Sequence, residues 1–224
     1  AAVDFDTYTF TGTAGDRVLL SCLATGGAIN TTFYLYPPGG GAVEDATTAD
    51  RIDHQLAVSG TYTLLVEDNN LDNTGSYILS MINLTSGPLT SAGDLNGGPI
   101  TSGEIYPGQI NTTGDFDAYR FNGSFGQHIV VGALTTAGTL NTNIAIYPPS
   151  GVAVVFTSAD RIDYQLQATG TFTIVIEDLG DDDSGSYTLG YMNTSVGPYA
   201  TATDLDGGPI ASTEIKTGQI SAPV

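Results

Sequence analysis

The chain has 224 residues, 41% hydrophobic and 13% charged, with 29 Gly and no Trp. Its 5 Lys and Arg against 24 Asp and Glu give a net charge of -19, which repels nucleic-acid phosphates and anionic lipid and argues against both as partners. No apolar run nears the ~20 residues that cross a bilayer as a helix, so no membrane insertion is expected.

In chain order, Ala1-Ala2-Val3, with no initiator Met, suits a mature end left by signal-peptide cleavage. Residues 6–10 then alternate, with Tyr8 and Phe10 on one face, and residues 17–24 form a nearly continuous apolar run around the single Cys22. That cysteine reads as a small buried residue. Residues 33–36 stop at Pro37-Pro38, and residues 52–58 put Ile52, His54 and Leu56 opposite Asp53 and Gln55. Two more alternating runs, 62–66 and 77–81, follow Gly60 and Gly75. Turns rich in Gly, Asn and Asp separate these runs at intervals of about ten residues, the spacing of a sandwich, and no stretch keeps a helical period.

The pattern then repeats. Asp4-Phe5-Asp6 returns as Asp115-Phe116-Asp117, and Glu67-Asp68 as Glu177-Asp178, with one residue lost where Gly39-Gly40-Gly41 faces Ser150-Gly151. A period of this length is that of a whole domain. The sequence predicts an all-β protein of two tandem antiparallel β-sandwich, jelly-roll-like domains of about seven or eight strands each. The expected division is residues 1–96, residues 97–209, and a separate segment, 210–224.

The strings DFDTYTFTGTAGDRVLL, YLYPPGG and SGTYTLLVEDNNLDNTGSY, and in the second half DFDAYRFNGSFGQHIVV, IYPPSG and TGTFTIVIEDLGDDDSGSY, resemble the bacterial pre-peptidase C-terminal (PPC) domain. The resemblance covers most of both repeats. It implies secreted β-sandwiches, in that family usually attached to an exported enzyme, some of which bind matrix proteins or polysaccharide. It also implies that residues 101–110 supply the first strand of the sandwich that follows them. No catalytic domain accompanies the two copies here, a departure from the family's usual arrangement.

Catalysis is not expected. The only histidines, His54 and His128, have Tyr164 and Arg17 as their repeat counterparts, and there is no GxSxG elbow. Zinc spacings are missing as well. Calcium is the candidate cofactor, because Asp178, Asp181, Asp182 and Asp183 crowd one turn with the oxygen ligands a hard cation takes. The equivalent first-half turn, residues 68–73, has two carboxylates and three amides. Arg51 and Arg161 are expected to form structural ion pairs at strand edges. Tyr8, Phe10, Tyr62, Tyr77 and their counterparts fall on core-facing phases, whereas Tyr106, Tyr191 and Tyr199 read as freer. Sequons at Asn30, Asn83, Asn111, Asn122 and Asn193 favour an exported, glycosylated protein at the cell surface or outside it.

One segment occurs twice: residues 97–110 read GGPITSGEIYPGQI and residues 207–220 read GGPIASTEIKTGQI. The first copy leads into the second repeat. The first repeat has no such segment ahead of it in this sequence, so it is expected to lack its opening strand. Ile210, Ile215 and Ile220 mark the surplus copy as a strand that another molecule's first domain can accept. Four residues, 111–114, join GQI to DFD inside the chain, and seven, 221–224 with 1–3, separate them between copies. The expectation is an extracellular fibre subunit that binds copies of itself head to tail. The alternatives are a spacer or adhesive module of a larger secreted protein, or a pair of domains binding surface glycans or matrix for an exported enzyme.

Overall fold

A computed structural model describes residues 3–202 and 205–220. The chain divides into two compact units, one of Ala1–Leu89 with Thr113–Phe116 and the other of Thr90–Thr112 with Asp117–Val224. The described regular structure is all β.

The first unit contains β1 (Asp6–Gly12), β2 (Arg17–Gly27), β3 (Thr31–Tyr36), β4 (Asp45–Thr47), β5 (Arg51–Gln55), β6 (Gly60–Asp68) and β7 (Gly75–Asn83). One sheet runs β1-β6-β3-β4 and the other β5-β2-β7. All their pairings are antiparallel. Alternation sends Val18, Leu20, Cys22 and Ile52 from one sheet, and Phe33, Leu35, Tyr62, Leu64 and Val66 from the other, into one core.

The second unit adds β8 (Gly97–Pro99) and β9 (Glu104–Ile110), then continues with β10 (Asp117–Gly123), β11 (His128–Gly138), β12 (Thr142–Tyr147), β13 (Val155–Thr157), β14 (Arg161–Gln165), β15 (Gly170–Asp178) and β16 (Gly185–Asn193). Strands β10 to β16 repeat β1 to β7 in order and pairing, including the bulge in β2 between Ala24 and Gly26, which returns in β11 between Thr135 and Ala137. Gly27 and Gly138 follow those bulges at φ 84° and 87°, a backbone region that disfavours a side chain.

The sheets differ at one edge. In the second unit they run β13-β12-β15-β10-β8 and β14-β11-β16-β9. Within residues 101–110, expected to supply the first strand, β9 runs antiparallel beside β16 after a turn at Gly103 (φ 85°); ahead of them β8 runs parallel beside β10, a strand the sequence did not mark. Among the described residues, the first unit has nothing in either place.

That difference corrects the expectation that both sets of aromatics are core. Tyr119 is 2% exposed but its counterpart Tyr8 is 44% exposed, and Tyr187 is buried where Tyr77 is half-buried. Phe121 is likewise buried while Phe10 is half-buried. The period-two pattern gives the face of a strand, but burial also needs a neighbour to close it. Tyr191, read as free, is also corrected: it packs on Phe121 with ring centroids 4.7 Å apart and is buried. Tyr106 is half-buried against the core and Tyr199 is exposed.

Candidate functional site

The edge of β7 is the candidate site, and the second unit shows how such an edge is completed. There, β9 pairs with β16 from Gly185↔Ile110 to Tyr191↔Glu104. Ile110 is fully buried among Ile176, Tyr187 and Leu140, Ile100 joins the same core, and Ile105 points away from it. A Cβ on Gly108 would collide with the ring of Tyr187, so the strand passes beneath that ring only as glycine.

The hydroxyl of Tyr187 donates to the Asp117 carboxylate at 2.6 Å and lies 2.8 Å from that of Tyr119, which donates to it in turn. Burial, then the Asp117 charge, pushes Tyr187 well above an ordinary phenol, so the pair stays neutral and keeps its donors.

In the first unit the same relay is laid open. Tyr77 donates to Asp6 at 2.6 Å and sits 2.7 Å from the Tyr8 hydroxyl. Desolvation, then the hydrogen bond to Asp6, raises Tyr77. Beside it lies a cavity of about 120 Å³ lined by Ile29, Val66, Gly75, Tyr77 and the acidic Asp6 and Asp68, among others. Ile29, Val66, Gly75 and Tyr77 are the repeat counterparts of Leu140, Ile176, Gly185 and Tyr187, of which Gly185 pairs with Ile110 and the other three share its core. Farther along the edge Met81 is 40% exposed, whereas its counterpart Tyr191 is 5% exposed.

The marker residues of the surplus segment are all exposed: Ile210 at 63%, Ile215 at 91% and Ile220 completely. Residues 205–220 form no strand. Their local contacts include Gln219 N–H to Asp206 at 2.8 Å, Ala211 N–H to the Glu214 carboxylate at 2.7 Å, Glu214 N–H to the Ala211 carbonyl at 3.1 Å, and Lys216 near Glu214 at 4.0 Å. Residues 221–224 of the expected donor strand lie outside the described residues.

The acidic turn is organised around one carboxylate. Asp178 accepts the N–H groups of Asn141, Gly180, Asp182 and Asp183 at 2.9 to 3.2 Å. Burial pushes its carboxyl up, but those donors outweigh it and hold the group below the usual range. Asp68 does the same for Asn30, Asp72 and Asn73, and those N–H groups bring its pKa down to about 2. Asp183 meets the Thr139 hydroxyl, and Asp181 adopts φ 54°. Among the described residues, no three of Asp178, Asp181, Asp182 and Asp183 bring carboxylate oxygens within 4.8 Å of one another. In this geometry Asp178 serves as a turn-closing acceptor.

The remaining sequence candidates are scattered. His54 sits between Glu44 at 3.1 Å and Asp45 at 3.2 Å, and His128 lies 3.0 Å from Asp163. Cys22 is buried, and desolvation followed by the Asp50 charge raises its thiol to about 12, so it stays neutral. Arg161 bonds Asp163 at 3.0 Å, while Arg51 lies over the Phe116 ring at 5.4 Å. Asn30, Asn111 and Asn122 are exposed. Asn193 is buried, its amide bonded to Gln127, Ser195 and Val196, and half-buried Asn83 likewise bonds Asp16, Thr85 and Ser86.

The open relay of Tyr8, Tyr77 and Asp6, together with Met81, was not singled out as functional by sequence reasoning. Their buried counterparts in the second unit mark them out, since among the described residues no strand lies beside them in the first.

No family model matches the chain, and no curated protein matches it. Among solved structures it is similar to the PliG periplasmic inhibitor of g-type lysozyme from Aeromonas hydrophila, at 16% identity and TM-score 0.35 over 44% of this chain and 98% of that one. It is similar to the pre-peptidase C-terminal domain of collagenase from Bacillus anthracis, at 15% identity and TM-score 0.36 over 43% of this chain and 94% of that one. The CUB1-EGF-CUB2 domain of human MASP-1/3 aligns at 8% identity and TM-score 0.24 over 85% of this chain and 94% of that one.

Proposed function

We propose that this protein is the structural subunit of an extracellular filament, assembled head to tail as each copy lays residues 207–220 along β1 and β7 of the next. It has no catalytic part in this reading. The observation that carries it is the contrast between corresponding sheets of the two units: among the described residues β5-β2-β7 stops where β14-β11-β16 continues into β9. The same chain holds a second, exposed copy of the β9 sequence.

An uncovered strand edge leaves backbone donors and acceptors without partners and apolar side chains in water, which favours pairing with a strand of suitable sequence. The accepting and donating surfaces are different patches of the molecule. Such a contact is heterologous and propagates into a filament unless its rotation closes a ring. Export is part of the reading, supported by the sequons at exposed Asn30, Asn111 and Asn122.

Sedimentation velocity over a concentration series tests it. The full chain is expected to form oligomers that lengthen with concentration, and a chain ending at Asp206 to remain monomeric. Equal assembly by both chains would overturn the reading, as would a full chain that is monomeric throughout.

A further inference from the structure

The donated strand has a register, and the second unit fixes it. Residues 207–220 align with residues 97–110 without a gap, identical at ten of fourteen positions, and Gly75 to Met81 align with Gly185 to Tyr191, so the pairings of β9 with β16 can be transferred. On that transfer Ile220 falls opposite Gly75, Gln219 opposite Ser76 and Gly218 opposite Tyr77. Ile210 takes the place of buried Ile100, and Ile215 that of outward Ile105.

We propose that the accepting site is the cavity beside Gly75: Ile220 of a neighbouring copy fills it, Gly218 passes under the Tyr77 ring, and Ile215 stays in solvent. This rests on the strand-donation reading and adds to it which side chains anchor the joint.

Three observations converge. The cavity of about 120 Å³ is lined by Gly75, the counterpart of the Gly185 that pairs with Ile110, and by Ile29, Val66 and Tyr77, whose counterparts share the core that holds Ile110. The surplus copy keeps glycine at 218, the one position where any Cβ would strike the tyrosine ring. The accepting unit keeps that tyrosine and its relay to Asp6 and Tyr8.

The surplus copy differs at Tyr106, whose ring lies 6.3 Å from Tyr119 and whose place is taken by Lys216. On docking, Lys216 takes the place of that ring beside Tyr8, the counterpart of Tyr119, and sets a cation next to an aromatic ring. Ile210, Gly218 and Ile220 are thus the inward positions, and Ile215 is an outward one.

Cysteine pairs in the full chain test the register. Facing residues of an antiparallel pair lie about 4.5–5.5 Å apart at Cα, within disulfide range, whereas positions two along lie about 7 Å or more away. Ser76→Cys with Gln219→Cys is expected to give a ladder of disulfide-linked oligomers on oxidation, and Ser76→Cys with Thr217→Cys is not; buried Cys22 does not compete.

A ladder from the second pair alone, or from neither pair while the wild type polymerises, would overturn the register and leave strand donation standing. A disulfide confined to monomers in the first pair would show the segment docked in its own chain and overturn both.

As a second measurement, Ile220→Ala is expected to weaken assembly at least ~30-fold, as loss of a buried Ile does. Gly218→Ala should do so comparably, and Ile215→Ala by less than about threefold. The reverse order for Ile215 and Ile220 would contradict the assignment.

Discussion

The hydroxyls of Tyr8 and Tyr77 lie 2.7 Å apart on an open sheet edge, and those of their counterparts Tyr119 and Tyr187 lie 2.8 Å apart inside a closed one. The relay is therefore built the same way with and without a covering strand. Tyr187→Phe removes the Asp117 donor in a buried place and is expected to cost about 1.5–3 kcal/mol by urea unfolding. Tyr77→Phe is expected to cost less than about 0.5 kcal/mol in the monomer but to weaken assembly measurably, since docking buries the relay. Equal costs in the monomer would contradict that contrast.

The two units should also unfold separately. The buried core cluster of the second contains eighteen residues and that of the first ten, and apolar burial supplies most of the stability. Calorimetry of the monomer is expected to show the first unit melting at the lower temperature. Assembly should raise that transition and leave the other nearly unchanged. A concentration-independent first transition would count against strand acceptance.

Much of this layout was legible in the sequence because Gly, Pro and Ile at fixed spacing make residues 97–110 and 207–220 recognisable as one element. The all-β class followed from alternation in runs such as residues 62–66. Exposure of Tyr8 and Tyr77 was not legible, since alternation reports which way a side chain faces and not whether a strand lies beside it. Nor was β8, the short strand ahead of residues 101–110, which is set off from β9 by a left-handed turn at Gly103. The contacts of Asp178 were not legible either, because composition cannot show that backbone N–H groups donate to its oxygens.

Acid stability follows from those turns. The Asp68 carboxyl falls from 3.8 to about 2 on folding because the Asn30 and Asn73 N–H groups, joined by that of Asp72, bind its charged form. A depressed folded pKa contributes stability that is complete above the unfolded value and lost as pH falls through the folded one. Urea unfolding of the wild type is therefore expected to weaken between pH 3.8 and about 2. Asp68→Asn should lower stability at neutral pH and flatten that slope.

At alkaline pH the sign reverses. Burial raises Cys22 from 9.0 to about 12, and a raised folded pKa gives stability that is complete below the unfolded value and lost as pH rises through the folded one. The first unit should weaken from pH 9.0 towards about 12, and Cys22→Ala, which matches Ala133 in the other repeat, should remove that part of the slope.

Asp178→Asn is expected to destabilise the second unit by about 1–3 kcal/mol through the N–H groups it serves less well. The loss should be the same with added calcium or EDTA. A calcium-dependent rise in wild-type melting temperature, lost in the variant, would instead show this turn to be a cation site.

Electron cryomicroscopy of polymerised protein tests the central claim most directly. Density is expected for an extra strand antiparallel to Gly75–Met81, traceable to residues 214–220 of the adjacent copy, with Ile220 buried beside Gly75. Polymers in which that edge is bare, or paired with the same molecule's own residues, would contradict it.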